Sequence, residues 1–218
     1  MKIQWLGHSA FRITESTGST VITDPFKPAA VGYAMAYASA DAVTLSHKHD
    51  DHNFVEGVKG SPVVVDTPGN HDFKGISING ISCWHDEAEG KKRGENIIYK
   101  FSFDGVTVCH LGDIGEECSP ELIEQLFPVN VLLLPVGGTY TIDAEQAKEY
   151  VERIMPDIVI PMHYKTKHCE LDIDRLDAFL RLFDDENILE LDSDTVEFDR
   201  GDFNGESTKI IVPKRYKG

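Results

Sequence analysis

The chain has 218 residues, of which 41% are hydrophobic, so its length and composition suit a single globular domain over residues 1–218. Its net charge of −16, from 37 acidic and 21 basic residues, opposes binding to nucleic acid or to an anionic membrane face. No apolar run approaches the roughly 20 residues that span a bilayer. Because Met1 to Gly7 does not look like a signal peptide and the four cysteines are scattered, we expect a cytoplasmic protein with reduced thiols.

Short β-like segments dominate the first half of the chain. They are rich in Val, Ile, Thr and aromatic residues and are bounded by Gly, Pro or Asp. The predicted strands are 3–6, 10–14, 20–23, 43–45, 63–65, 76–84, 96–103 and 106–111. Asp104-Gly105, between the last two, predicts a tight hairpin turn.

Helical patterns appear in the second half. Ser119-Pro120-Glu121 predicts a helix start, with the helix ending near Phe127. Asp143 and Gln146 predict a capping box that opens a helix to Ile154. A third helix is predicted over 173–183, and further strands over 131–134, 158–160, 187–191 and 208–212. Strands mixed with helices indicate an α/β fold in which helices pack outside sheet layers.

A histidine-rich segment follows the predicted strand 43–45. It contains His47, His49, Asp51 and His52, whose side chains are ligand types for a borderline divalent cation. His47 and His49 project to the same side at a strand end, while Asp51 and His52 can turn toward a second point. An adventitious histidine cluster is the alternative, but this segment is internal and mixed with carboxylates. It can begin two adjacent metal sites, and two metals about 3.5–4 Å apart can activate hydroxide for hydrolysis.

Further candidate ligands also follow predicted strands. His85, Asp113 and His163 each lie at or near the end of one, and Asp24 follows another strand in the same manner. Sites in layered α/β proteins gather at strand ends, where loops converge over a rigid sheet. His110, inside a predicted strand, is the alternative to His85 as a third histidine for the first metal.

The order of these residues resembles the metallo-β-lactamase superfamily. The matching positions are Asp24, His47-x-His49-x-Asp51-His52, His85, Asp113 and His163. Segments 5–9, 110–113, 134–138 and 161–164 are similar to its stand-alone Zn-dependent hydrolase branch. That branch is similar to the ascorbate-phosphate lactonases and to the phospholipase D-like N-acylethanolamine hydrolases.

The resemblance implies a four-layer αββα sandwich and a dinuclear metal site. The implied ligands are His47, His49 and His85 for one ion, Asp51, His52 and His163 for the other, and Asp113 as the bridge. Zn²⁺ is the expected ion at both sites, with Mn²⁺ or Fe as alternatives.

The resemblance also implies a reaction. A metal-bridging hydroxide attacks a small ester, lactone or phosphodiester, and Asp51 and Asp113 are the expected catalytic carboxylates. Asp24, His8 and His110 are expected to contact the ligands and orient them. We therefore expect a metal-dependent hydrolase with a small anionic substrate. A non-catalytic metal-binding protein on the same fold is the alternative, and a nuclease is disfavoured by the negative charge.

Substrate-binding residues are expected in three places. Arg93, in the cationic run Lys91-Lys92-Arg93, can clamp an anion, although a solvated turn explains the run equally well. Tyr164 and Lys165 follow His163 and can stabilise an oxyanion. The segment 25–40, with Tyr33, Met35 and Tyr37, is expected to form a lid beside the site.

Overall fold

The computed structural model describes residues 1–36, 38–103 and 105–216, and about half of them lie in strands and helices. In chain order, the strands are β1 (Lys2–Gly7), β2 (Ala10–Thr14), β3 (Thr20–Thr23), β4 (Ala38–Ser39), β5 (Ala42–Thr44), β6 (Val58–Lys59), β7 (Val63–Val65), β8 (Gly69–Phe73), β9 (Ile76–Trp84), β10 (Glu95–Phe103), β11 (Val106–His110), β12 (Val131–Pro135), β13 (Ile158–Met162), β14 (Ile188–Glu190), β15 (Thr195–Glu197) and β16 (Lys209–Val212). The α-helices are α1 (Pro28–Val31), α2 (Pro120–Leu126), α3 (Ala144–Ile154) and α4 (Leu176–Leu180).

The strands form two large sheets. The first has the order β15-β1-β2-β3-β5-β7, and the second has the order β14-β16-β13-β12-β11-β10-β9-β8. Strands β4 and β6 form a separate parallel pair. In the second sheet, β8 to β11 are antiparallel neighbours, whereas β11, β12, β13 and β16 pair in parallel.

The first sheet is buried on both faces. Side chains alternate between the faces of a strand. Accordingly, Val21 and Ala42 join the core that is shared with the second sheet, whereas Ile22 and Val43 pack in a separate cluster with Val31 of α1. Helices α2, α3 and α4 contribute buried side chains to the core of the second sheet. The predicted α/β sandwich, with sheets inside and helices outside, is confirmed.

Strand direction brings seven strand ends to one edge of the sandwich. Strands β1, β3 and β5 run the same way, because β2 is antiparallel to both β1 and β3, and β3 is parallel to β5. In the second sheet β9, β11, β12 and β13 likewise share one direction. Tyr99 of β10 links the sheets near this edge, since its hydroxyl donates to the carbonyls of Leu45 and Val65 at 3.2 and 3.0 Å.

The predicted elements are found with small shifts, except the third helix. That helix covers only Leu176–Leu180 instead of 173–183. Its expected first turn is extended, because Asp174 donates its N–H to Gly137 O at 2.7 Å and accepts from Lys165 N at 2.7 Å. Strands β4, β6, β8 and β15 and helix α1 were not predicted. Tyr37 of the expected lid and Asp104 of the predicted hairpin turn lie outside the described residues.

Two further expectations can be compared with the structure. Cys83, Cys109, Cys118 and Cys169 are all free and buried, in agreement with reduced thiols. Among the described residues, no helix has the length and apolar character that crossing a membrane requires.

The capping box of α3 gives a test of local stability. Asp143 accepts from the Gln146 N–H at 2.9 Å, and Gln146 Oε1 accepts from the Asp143 N–H at 3.0 Å. Asp143→Ala removes the first bond, so the free energy of unfolding of the metal-free protein should fall by about 1 kcal/mol. Urea denaturation measures the change, and Glu145→Ala in the same helical turn is the control. Equal unfolding midpoints for the two variants would contradict the capping role.

Candidate metal centre

Six of the candidate residues lie within three residues of strand ends at the shared edge of the two sheets. His8, Asp24 and His47 follow β1, β3 and β5, and His85, Asp113 and His163 follow β9, β11 and β13. Three of them, His8, Asp24 and His163, have left-handed backbone φ angles of 51°, 38° and 51°. Such angles are uncommon outside glycine and recur where the surrounding structure holds a functional side chain in place.

Three histidines form the first group of candidate ligands. One ring nitrogen from each of His47, His49 and His85 lies within 4.8 Å of the others. The ring of His85 lies 4.6 Å from the ring of His47 and 5.1 Å from that of His49. His47 and His85 are buried and His49 is exposed, so one side of the group opens to solvent.

The second group combines a carboxylate with three histidines. Candidate ligand atoms of Asp51, His52, His163 and His8 all lie within 4.8 Å of one another. The Asp51 Oδ2 atom lies 3.6 Å from His52 Nε2 and 4.0 Å from His163 Nε2. His8 was expected to contact the ligands and orient them. In the structure it lies within the group itself.

Asp113 lies between the two groups. Its Oδ2 atom is 3.5 Å from His85 Nε2 and 3.2 Å from His163 Nε2, and its Oδ1 atom is 3.2 Å from His52 Nε2. The Asp113 N–H donates to Asn96 Oδ1 at 2.9 Å. Asn96 is fully buried and also donates to Leu111 O, so it fixes the turn that carries Asp113.

His110 does not join either group. Its Nε2 atom lies 2.9 Å from Ser9 O, and its Nδ1 atom accepts from the Gly112 N–H at 3.1 Å. Both ring nitrogens are therefore occupied by backbone partners, and this pattern assigns the Nε2–H tautomer. The geometry thus brings His85, and not His110, next to His47 and His49.

Asp24 orients the histidine-rich segment from beneath. It is completely buried, and it accepts from the Ser46 N–H at 2.8 Å, from Ser46 Oγ at 2.5 Å and from His52 Nδ1 at 2.9 Å. Ser46 Oγ also lies 2.9 Å from His47 Nδ1. Hydrogen bonds to the outer nitrogen of an imidazole fix its tautomer and direct its other nitrogen. Asp24 therefore acts on one histidine of each group.

The charges of the centre are strongly coupled. Burial lowers the pKa of His47 well below its ordinary value, and burial also lowers the pKa of His85. Burial acts to lower the pKa of His52 too, but Asp113 and Asp51 outweigh it and raise that pKa well above the ordinary value. For Asp113, burial acts to raise the pKa, but His163 and His52 outweigh it and hold the pKa well below the usual range.

Several inward-facing atoms of the centre form no hydrogen bond in the described parts of the chain. His47 Nε2, His52 Nε2 and His163 Nε2 are buried and form no hydrogen bond to any described residue, and the same is true of Asp113 Oδ1. Buried polar atoms without partners are costly and therefore rare. Neutral imidazoles and carboxylates that converge on shared points are the donor set that borderline divalent cations prefer. These residues therefore fit metal ions.

Two cavities of about 360 Å³ each open beside the centre. The first is lined by Leu45, Ser46, His47, Lys48, His49, Asp66, Arg93, Glu95 and Ile97. The second is lined by Ala30, His49, Asp51, His85, Arg93, Asp113, Tyr140 and Leu171. They share His49 and Arg93, so these two side chains border both cavities.

Arg93 is held in place by its own loop and by a neighbouring one. Its Nη2 atom donates to Thr139 O at 2.9 Å, and its guanidinium lies 5.5 Å from the ring centre of Tyr140. Lys91 and Lys92 point elsewhere, and each pairs with a glutamate of the same loop, Glu89 or Glu87. Of the three consecutive cations, only Arg93 lines the cavities.

The loop that carries Arg93 is organised by one carboxylate. Asp86 is buried and accepts from the backbone N–H groups of Ala88, Gly90, Lys92 and Arg93 at 2.7 to 3.0 Å. Burial acts to raise the pKa of Asp86, but these hydrogen bonds outweigh it and lower that pKa below its usual value. This role could not be predicted from the sequence, because Asp86 is one of many acidic residues in the chain.

The structure places most of two expected parts of the substrate side away from the cavities. Tyr164 is buried with its ring 5.4 Å from that of Trp5, and Lys165 Nζ donates to Leu171 O, so neither lines a cavity as an oxyanion group must. In the expected lid, Met35 is buried in the cluster behind the first sheet and Tyr33 Oη accepts from the His8 N–H. Ala30 is the residue of that segment that lines a cavity.

Comparisons with known proteins agree with this architecture. The family model for the β-lactamase superfamily domain matches residues 2–163. A solved Thermotoga maritima structure, assigned to the Zn-dependent hydrolases of the metallo-β-lactamase superfamily, has a TM-score of 0.80 and 36% identity over 99% of both chains. A metal-dependent hydrolase structure from Parabacteroides distasonis, with a TM-score of 0.65 and 20% identity over 95% of this chain and 91% of that one, shares the fold. The chain belongs to the metallo-β-lactamase superfamily.

Curated relatives narrow the assignment. UPF0173 metal-dependent hydrolases from Pyrococcus abyssi and Pyrococcus furiosus are 30% and 31% identical to this chain over 194 residues. Each match covers 76% of this chain and 85% of the relative. The protein is therefore a metal-dependent hydrolase of the UPF0173 family. The predicted superfamily and enzyme class are confirmed, whereas the narrower likeness to lactonases and N-acylethanolamine hydrolases stays a prediction.

The pKa of His52 is raised, whereas the pKa values of His47 and His85 are lowered. This difference predicts that the metal affinities of the two groups depend differently on pH. The raised pKa of His52 keeps it protonated near neutral pH in the metal-free protein, and a protonated imidazole cannot bind a metal. Affinity for the ion of the Asp51, His52 and His163 group should therefore rise about tenfold per pH unit until His52 is deprotonated. Affinity at the other group should change less, because His47 and His85 have lowered pKa values.

Calorimetric titration of the metal-free protein with Zn²⁺, at several pH values between about 6 and 8, measures both affinities. Buffers of different ionisation enthalpy report the number of protons released with each ion. Proton release that is equal for both ions would contradict the expected difference between the groups.

Proposed function

We propose that this hydrolase is dinuclear. One divalent ion is held by His47, His49 and His85, the other is held by Asp51, His52 and His163, and Asp113 lies between them as the shared ligand. The observation that carries the proposal is the position of Asp113, whose two oxygens lie within 3.5 Å of Nε2 atoms from both groups. Zn²⁺ is the preferred ion because the set is rich in imidazole, and Mn²⁺ or Fe are alternatives.

The reaction follows from this arrangement. Divalent ions held by these residues would supply an activated water as nucleophile at neutral pH and would polarise the bond that it attacks. The protein contributes rigid placement, because most of the ligands lie at a strand end or are fixed by Asp24, Ser46 or Asn96. Burial of most of the ligands also lowers the local dielectric, which strengthens the electrostatic interactions within the centre.

The substrate that fits is a small molecule with an anionic group. A volume of about 360 Å³ per cavity suits a small ester, lactone or phosphodiester. Arg93 offers the remaining edge of its guanidinium to a carboxylate or phosphate, since the bond to Thr139 O uses only Nη2. Ala30, Tyr140 and Leu171 provide apolar contact on the other side of the second cavity.

Metal analysis and turnover test the dinuclear proposal together. Untagged protein purified without chelators should contain about two equivalents of Zn²⁺, Mn²⁺ or Fe by elemental analysis. The same protein should hydrolyse members of a panel of chromogenic esters, lactones and phosphodiesters. Metal content of one equivalent or less after reconstitution with each ion would contradict the dinuclear site.

Asp113→Asn tests the bridging role. The amide keeps the size of the side chain but removes the charge that faces both groups. Turnover should fall by more than the roughly 10-fold to 100-fold loss that is typical when a residue behind a ligand is changed. Circular dichroism checks the fold, and elemental analysis reports whether an ion is lost. Retained turnover with two bound ions would exclude Asp113 as the shared ligand.

Arg93→Met tests the anion site. Loss of a charge-assisted hydrogen bond costs about 1.5–3 kcal/mol, so kcat/KM for anionic substrates should fall about 10-fold to 100-fold. Neutral esters of the panel should be affected much less. Lys91→Met, on the same loop but directed at Glu89, is the matched control and should behave as the wild type. Equal losses for anionic and neutral substrates would contradict anion recognition by Arg93.

A further inference from the structure

His8 is a buried histidine that the dinuclear proposal does not use. It is 1% exposed and follows β1 in a left-handed turn. The turn is held at both backbone atoms of His8, because its N–H donates to Tyr33 Oη at 3.0 Å and its carbonyl accepts from Trp5 Nε1 at 3.0 Å. The backbone that carries the imidazole is therefore held by protein contacts and does not depend on a bound ion.

The imidazole of His8 points at Asp51. His8 Nε2 lies 3.3 Å from Asp51 Oδ2, nearer than the corresponding atom of His52 at 3.6 Å or His163 at 4.0 Å. The His8 ring packs 4.2 Å from the ring of His163 and 5.2 Å from that of His52. His8 thus supports the Asp51 side chain from within the protein.

Two observations distinguish His8 from the proposed ligands. The Nε2 atoms of His47, His52 and His163 have no hydrogen-bond partner among the described residues, whereas Nε2 of His8 contacts Asp51. In addition, His47, His52, His85 and His163 all place Nε2 within 4.0 Å of an Asp113 oxygen. Within the described part of the chain, the ion-pair contacts of His8 extend to Asp51 and not to Asp113.

We propose that His8 is a positioning residue that donates its Nε2–H to Asp51 Oδ2 and so fixes that carboxylate for its ion. A carboxylate only accepts hydrogen bonds, so the proton of a neutral imidazole must lie on Nε2. Asp51 stands on an irregular segment after β5, and His8 is the nearest donor to its side chain. Fixing a ligand in advance saves the entropy of ordering it on binding. The inference rests on the proposed role of Asp51 as a ligand.

Metal titration of two variants tests this role. His8→Phe keeps a flat ring of similar size without a donor, and His8→Gln returns an N–H close to the position of Nε2. With Zn²⁺ added to the metal-free full chain, His8→Phe should bind the ion of the Asp51 group about 10-fold to 100-fold more weakly. The ion of the His47, His49 and His85 group should bind as in the wild type, and this internal control reports correct folding.

His8→Gln should recover most of the lost affinity. The matched control is His71→Phe, because His71 is half-buried on β8 and its Nε2 atom lies 3.0 Å from Thr67 O, and it should leave both affinities unchanged. Unchanged affinities in His8→Phe would overturn the proposal. Equal losses in His8→Gln and His8→Phe would also overturn it, since they would make His8 a ligand that only an imidazole can replace.

Crystal structures of the metal-free variants give a test that does not depend on metal stoichiometry. The Asp51 carboxylate should leave its position in His8→Phe and keep it in His8→Gln. A carboxylate that stays in place in His8→Phe would overturn the positioning role. A wild-type protein that binds fewer than two ions would contradict the dinuclear site, and the position of Asp51 would still decide the role of His8.

Discussion

Burial of negative charge within a cluster of imidazoles is the constraint on which the site depends. Asp24 and Asp113 are at most 2% exposed, and an isolated carboxylate at such a depth is very costly. In the metal-free protein, the proton of His52 supplies part of the compensating charge, which is why the pKa of His52 is raised. A divalent cation supplies more positive charge than a single proton does, so the centre is suited to bind cations.

This constraint explains the arrangement of the fold around the centre. The groups that approach the carboxylates come from strands of both sheets that end at one edge. No single loop could hold so many ligand atoms at fixed separations, whereas strand ends inherit the rigidity of the sheets behind them. The bonds from Tyr99 to the carbonyls of Leu45 and Val65 matter for the same reason, because they keep the two sheets at a fixed distance close to the ligands.

Much of the fold and of the candidate site could be predicted from the sequence. The β-branched runs predicted the strands, and polar residues at their ends predicted where candidate ligands would gather, because that pattern depends on local sequence alone. Contacts between distant segments left no such signal. Asn96 under Asp113 and the bond from His8 to Asp51 depend on how the two sheets face each other.

The differences between the predictions and the structure also have a physical cause. Residues 173–175 have helical spacing, but backbone bonds to Gly137 and Lys165 hold them extended, so tertiary structure outweighed local preference. Tyr164 and Lys165 adjoin His163 in sequence, but the chain turns at His163 and sends both side chains away from the cavities. Proximity along the chain is a weak guide to the lining of a site.

The way in which Asp86 organises its loop has a consequence for divergence among relatives. Gly90 must stay small, because its φ is 76° and a Cβ there would lie 2.7 Å from the Trp84 ring. The Asp86 carboxylate, however, binds main-chain N–H groups and so places no demand on the side chains at positions 87, 91 and 92. Those positions can change while Arg93 stays beside the two cavities. Selection can therefore alter the rim of the entrance, and with it the range of accepted molecules, without disturbing the hydrolytic machinery beneath.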